Sequence, residues 1–327
     1  MRVDKPLSYF VSSILTCLAL SLPAQTQAQA QDIYPTKQIR MVLCCVGAIN
    51  AVARAIADEM SDTLGEAVVV EAKPGAGGGI ATTHVAKSKN DGYTILVGTN
   101  ATHAANQSLY LDLAYDYVKD FAPIGGVGAG AMVLLVPATS PIKSVSDLTE
   151  KALASPGMLS YGWAGTTPRI AMALYSQLTN TRLLEIPYKT NPQATTDLAG
   201  GQFDTMFADL NTSVPLVHAG KLRALAVSGP ERADVLPDVP TMQEAGVKDY
   251  SLTWWVGMWA PAGTPRPIVD KLNAALTKAI KSDRLADLFR STGATPMPMT
   301  PDELMAFQIS EKEKWAQIIK NAGIQPQ

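Results

Sequence analysis

Short apolar runs rich in β-branched residues alternate with helical patterns through nearly the whole of this 327-residue chain, and that alternation limits the fold more than any other feature. Residues 39–43, 67–70, 94–97, 132–136, 183–186, 205–207 and 222–227 read as short buried strands. Between the first two, Ile49, Val52, Ala53, Ile56, Met60 and Leu64 recur at three- and four-residue spacing, with Gly65 where a C-terminal cap belongs. Residues 267–291 are amphipathic, and Thr300-Pro301-Asp302-Glu303 combines an N-cap, a first-turn proline and a capping-box glutamate. Such alternation predicts an α/β protein with mostly parallel sheets. The chain exceeds the usual size of a single core, so two domains are expected. Residues 121–136 and 250–261 read as two crossover strands that leave one sheet and enter another. Residues 31–129 with 252–327 would then build one lobe and 130–251 the other, with ligand contacts at strand C-termini facing a cleft.

The N-terminus reads as an export signal. Arg2 and Lys5 precede an apolar stretch, residues 9–22, and Ala28-Gln29-Ala30 closes it, which predicts a signal peptide over residues 1–30 and a mature chain in the periplasm. The stretch is too short for a membrane span. Ile14-Leu15-Thr16 ahead of Cys17 lacks the small residue that lipid attachment requires. A net charge of −2 with no basic stripe argues against a nucleic-acid partner. Beyond the leader only Cys44 and Cys45 remain, and adjacent cysteines fall outside ordinary disulfide geometry, so stability must come from a large core.

Several chemistries can be weighed against the residues. The turn Pro74-Gly-Ala-Gly-Gly-Gly79 has G-x-G-x-G spacing, not the G-x-G-x-x-G of a dinucleotide site. Its glycines more simply permit a tight turn at a helix start, and no cofactor is expected. In a strand Cys44 and Cys45 would point to opposite faces, and His84, His103 and His218 lack finger-like spacing, which argues against a metal. A thiol enzyme or hydrolase using Cys44 or Cys45 with His103 as base is the alternative from another functional class. The stronger signal is a set of polar loops after strands: residues 98–106, 163–169, 188–198 and 207–213. They offer Asn100, Thr102, His103, Trp163, Gly165, Thr166, Arg169, Tyr188, Lys189, Thr190 and Asp209. Many neutral donors with a cation or two make a kit for recognising a carboxylate. Any of these threonines and asparagines has a plainer use as a helix cap, and Trp163 as core.

The segments YPTKQIR, EAKPGAGGGIATTHVAKSKNDGYTILVGTNATHAANQSLY, VKDFAPI, IPYKTNPQATTDLAGGQFDTMF, HAGKLRALAVSG, LPDVPTMQEAG and WAPAGTPRPIVDKLN together resemble the Bug family of periplasmic substrate-binding proteins of tripartite tricarboxylate transporters. The resemblance runs in order over about residues 33–325. It implies a two-lobed Venus-flytrap fold that closes on a small carboxylate and presents it to a membrane permease; catalysis is not required. A monomer is expected, and a reading that keeps the fold but changes the job makes the protein a receptor for a sensor kinase. Tyr188, Lys189, Thr102 and His103 agree with the family pattern. The first clamp departs from it: CCVGAIN stands where a longer glycine-rich loop ending in Thr-Asp is usual, which leaves Cys45, Gly47 and Asn50 as the expected ligand contacts there. In the second clamp Gly165 and Thr166 remain, while Trp163 and Arg169 replace smaller residues. A flat apolar face and a planar bidentate cation suggest a larger acid, aromatic or a longer dicarboxylate.

Overall fold

A computed structural model describes residues 34–45 and 49–326. The expected signal peptide and Gly47 lie outside the described residues. Pro35–Gln327 belong to one compact unit. In chain order its elements are β1 (Ile39–Leu43), α1 (Ile49–Leu64), β2 (Val68–Ala72), α2 (Gly79–Ala86), β3 (Thr94–Thr99), α3 (Asn106–Leu109), β4 (Phe121–Gly130), β5 (Met132–Pro137), α4 (Val145–Ala154), β6 (Ser160–Trp163) and α5 (Thr166–Thr179). There follow β7 (Leu184–Pro187), α6 (Asn191–Ala199), β8 (Met206–Asp209), α7 (Leu210–His218), β9 (Leu222–Val227), β10 (Trp254–Pro261), α8 (Arg266–Ile280), α9 (Asp283–Thr292), β11 (Ala294–Pro296) and α10 (Pro301–Asn321).

A six-stranded sheet has the order β11-β4-β10-β3-β1-β2. Its centre is apolar on both faces because helices cover both: Ile39, Met41, Val42 and Leu43 of β1 and Ile95, Leu96 and Val97 of β3 are all buried. Helix α1 lays Ala53, Ile56, Ala57 and Met60 inward and stops at Gly65, whose φ of 75° is the left-handed cap the sequence predicts. A second sheet, β8-β5-β9, and the pair β6-β7 form the rest. The switch between sheets is abrupt. Ala131 alone separates β4 from β5, and Trp254 Nε1 donates to its carbonyl at 3.3 Å. The return crossing is held differently: residues 250–253 are not a strand, and Ser228 ties them down by donating to the Leu252 carbonyl at 2.6 Å while accepting from Met132 N–H at 2.9 Å.

The α/β class and the change of sheet near residue 131 agree with the sequence, while the second expected crossover strand over residues 250–261 is shorter, Trp254–Pro261, and pairs only within the six-stranded sheet. The strand directions do not. The β1–β2, β1–β3 and β6–β7 pairs are parallel, but five pairings among the described residues are antiparallel, so the sheets are mixed. Alternation of strand and helix reports spacing, not direction. Strands β5 and β10 reach their sheets by crossing, not by a βαβ return, and lie antiparallel to their neighbours.

Helix α10 fixes the aromatic strand β10 from behind. Its start is a full capping box, with Glu303 N–H donating to Thr300 Oγ1 at 3.2 Å and Thr300 N–H to Glu303 Oε2 at 2.8 Å. One helix face then carries Gln308 and Glu311 into the core. Trp259 Nε1 donates to Gln308 Oε1 at 3.0 Å, and the indoles of Trp255 and Trp315 both donate to Glu311 Oε2 at 2.9 Å. Buried indoles need such partners, and these set the rotation of two tryptophans along β10.

Candidate functional site

At the C-terminal ends of β1, β3 and β8 lies a cavity of ≈ 250 Å³. Its polar side consists of Cys45, Thr99, Asn100, Thr167, Asp209 and Asn211. The rest of the lining is mostly apolar, with Ile49, Val52, Val127, Leu210, Trp254, Trp255, Val256 and Phe289 beside one further hydroxyl, Thr292. Two glycines let the aromatic rings reach the strand. A Cβ at Gly128 would stand 2.9 Å from the Phe289 ring, and one at Gly130 would stand 2.5 Å from Trp254. Asn100 joins the two sides. Its Nδ2 donates to Thr167 Oγ1 at 2.8 Å and its Oδ1 accepts from Trp255 N–H at 3.3 Å.

The electrostatics come mainly from backbone. Ile49 opens α1, Thr167 is the second residue of α5, and Leu210 and Asn211 open α7, so three helix starts meet the cavity. Unsatisfied N–H groups and the aligned peptide dipoles make each a place for negative charge. No lysine, arginine or histidine is among the described residues that line it. The two ionisable lining groups are Cys45 and Asp209. Burial pushes the Asp209 carboxyl above the usual carboxylate range, opposed in part by Asn191 Nδ2, which donates to its Oδ2 at 2.7 Å. A hydrogen bond from Cys44 holds the Cys45 thiol below its usual range, while Cys44 itself is pushed up by that pairing and by burial.

Of the residues the sequence singles out, Cys45, Asn100 and Asp209 meet at this cavity. The others go elsewhere. Thr102 is fully buried and spends its hydroxyl on Thr99 N–H, Thr99 carbonyl and His103 Nδ1. His103 is fully buried and stacks on Trp259 with ring centroids 3.7 Å apart. Burial drops its pKa to about 3, so it is a neutral core residue at ordinary pH. Asn50, in the first turn of α1, keeps a buried Oδ1 without a partner among the described residues and does not line the cavity. The Arg169 guanidinium lies over the Trp163 ring at 4.8 Å, and its Nε donates to Glu185 Oε2 at 3.0 Å. The Arg169 charge is thus already engaged by Trp163 and Glu185, while the buried Trp163 Nε1 has no partner among the described residues. Gly165, with φ of 81°, is the N-cap of α5, and Thr166 is that helix's first residue. Tyr188 packs on Phe203 at 5.5 Å, Lys189 is exposed, and the Thr190 hydroxyl caps α6.

Sequence reasoning passed over Thr167 and Asn211, each one or two residues from one it named, and the whole apolar wall. The signal for part of that wall was visible in YSLTWWVGMWAP, read as a crossing and not as a surface. Phe289 comes from α9 with no motif to mark it.

Residues 52–324 match the model of the tripartite tricarboxylate transporter family receptor. A protein of Pseudomonas sp. strain P51, from the tcbD-tcbE intergenic region, is 34% identical over 312 residues, which cover 94% of this chain and 93% of that protein. An R. palustris protein solved with adipate is 33% identical with a TM-score of 0.81, covering 90% of this chain and 100% of that chain. The periplasmic binding protein BugD is 34% identical with a TM-score of 0.78, again over 90% and 100%.

Proposed function

The chain belongs to the tripartite tricarboxylate transporter receptor family, and from that premise we propose that it is an exported binder of a carboxylic acid with an apolar, aromatic-sized body. Residues 31–129 with 252–327 and residues 130–251 are its two lobes, and closing them buries the acid. The observation that carries this reading is the mixed lining of the cavity, which combines three helix starts and neutral donors with Trp254, Trp255 and Phe289. Asn100 and Thr167 belong to different lobes, and their hydrogen bond is one that closure makes. The carboxylate sits at the starts of α1, α5 and α7, within reach of Asn100, Thr167 and Asn211; the ring or chain of the acid lies along the tryptophans. The relative solved with adipate supports a carboxylate as the anion.

The protein works as a monomer that hands its acid to a membrane permease, and the reaction it performs is binding alone. A thiol enzyme needs a base beside its sulfur. Cys45 has Cys44 as its sulfur neighbour at 3.5 Å, and the His103 ring nitrogens face Thr102 and the core.

Titration of the purified protein with phenylacetate and with phenylacetamide tests the proposal. The two have the same body and differ in charge. Phenylacetate is expected to bind with micromolar Kd, about −8 kcal/mol, and at a hundredfold excess over Kd to stabilise the fold by about 2.7 kcal/mol. Equal binding of the amide, or no binding of either, defeats the assignment of an anion site at the helix starts.

A further inference from the structure

We propose that Cys44 and Cys45 are a redox modification site in the wall of this cavity: exchange with a disulfide of the exported compartment joins them into one ring and changes the affinity for the carboxylate, a regulation that rests on the binding reading above. In a regular strand the two side chains would point to opposite faces. Here β1 ends at Leu43, the chain bends, and the two sulfurs lie 3.5 Å apart. Both cysteines are free. Cys44 is buried, and its backbone N–H is held by the Val97 carbonyl at 3.2 Å. Cys45 is half-buried and faces the cavity, so a small reagent that enters there meets its sulfur first.

The arrangement gives the two thiols different parts. Cys44 donates its S–H to Cys45 Sγ, which makes Cys45 the better nucleophile. The Cys45 thiolate attacks one sulfur of an incoming low-molecular-weight or protein disulfide, forms a mixed disulfide and releases one thiolate. Cys44 then gives its proton to that departing thiolate and attacks the Cys45 sulfur, which expels the second. Two protein S–H bonds become one S–S bond, and the oxidant leaves as two thiols carrying the two electrons and two protons. The ring is strained. Adjacent Cα atoms stand about 3.8 Å apart across a trans peptide, below the roughly 4.4–6.8 Å of ordinary disulfides. Strain makes a disulfide easier to reduce, which suits a reversible switch and not a staple.

Closing the ring brings the sulfurs from 3.5 Å to about 2 Å. It draws the Cys45 sulfur back from the cavity and removes the one thiol there that can become negative. A thiolate beside the helix starts opposes a ligand carboxylate, so the oxidised protein is expected to bind acids more tightly.

The full chain, treated with oxidised glutathione or with dithiothreitol, separates the outcomes. Peptide mapping of the oxidised sample should find residues 44 and 45 joined within one peptide, two hydrogens lighter than the reduced one. At pH 8 phenylacetate should bind the oxidised form at least threefold more tightly. Cys45→Ala should abolish that difference, and Cys44→Ala should abolish the tightening by stopping at a mixed disulfide on Cys45; the two variants guard against one failing to fold. A mixed disulfide that stops at Cys45, no linkage at all, or equal affinities with the bond in place overturns the switch. If the bond forms and phenylacetate binds neither form, the modification site stands and the carboxylate reading falls instead.

Discussion

Replacing His103 by phenylalanine should make the fold less sensitive to acid while leaving ligand affinity alone. The ring is fully buried, lies flat on Trp259 with centroids 3.7 Å apart, and meets Phe121 edge-on at 5.1 Å. Burial lowers its pKa from 6.5 to about 3. A base whose folded pKa is depressed is neutral in the native state and gains its proton on unfolding. Its contribution to stability is therefore fully present above about pH 7 and is lost as the pH falls below 6.5. At pH 5 the loss is about 1.5 pH units, or roughly 2 kcal/mol. That figure does not depend on the exact folded value so long as it stays well below 5. Phenylalanine keeps the stack and gives up one hydrogen bond to Thr102 Oγ1, whose other partners at Thr99 remain. The cost at pH 7.5 should be about 1 kcal/mol or less. Urea unfolding of both proteins at pH 7.5 and pH 5, at matched ionic strength, gives the comparison. The difference in stability between variant and parent should shift by about 2 kcal/mol in favour of the variant. Every other titrating group is common to both and cancels. An unchanged difference would mean that His103 is protonated in the folded protein, and so within reach of an anion after all.

Three further outcomes follow from the cavity. Asp209→Asn should tighten phenylacetate binding at pH 8 by tenfold or more in calorimetry, because two like charges about 10 Å apart at an effective dielectric of about 20 repel by roughly 1.7 kcal/mol; the carboxyl's stabilising contribution, present below about pH 4 and lost as pH rises through its elevated pKa, should vanish with it. Arg169→Ala should leave that affinity within about twofold, since the guanidinium is occupied by Trp163 and Glu185, and should lower stability by at most about 1 kcal/mol for a partly exposed pair. Trp254→Ala should weaken phenylacetate by about tenfold, the worth of one aromatic wall, without changing the acid-over-amide preference measured by the same titration.

The elements and the site were legible to different degrees, for a physical reason. A strand or helix announces itself through a local period, and β1, β9 and α1 fall on residues 39–43, 222–227 and 49–64 as the pattern predicts. A cavity wall has no period. Residues 45, 100, 167, 209, 254 and 289 meet only because two sheets exchange strands near Ala131 and Thr253. Loops after strands could be ranked by donor content, and of the residues so ranked Cys45, Asn100 and Asp209 line the cavity. The same ranking promoted Arg169 and His103, because residue type alone does not show that a cation already has a carboxylate or that an imidazole lies under an indole. Gly165 and Thr190 illustrate the plainer use: both serve helix starts.

The absence of a cation among the described lining residues also bears on which acid fits. Each helix start offers roughly half a positive charge, so three together match a single carboxylate, and an ionised Asp209 would cancel part of that. A second carboxylate on the ligand would lose water among Val127, Phe289 and Trp254 and find only the Thr292 hydroxyl, which already donates to the Leu288 and Phe289 carbonyls at 3.0 Å. The same wall is a favourable bed for a ring or alkyl chain, at roughly 25 cal/mol for each Å² of apolar surface covered. The two halves of the cavity therefore discriminate in the same direction. Phenylacetate should bind more tightly than adipate, although a relative at 33% identity has been solved with adipate. The reverse order in a direct competition would require a donor for the second carboxylate that the apolar wall does not provide.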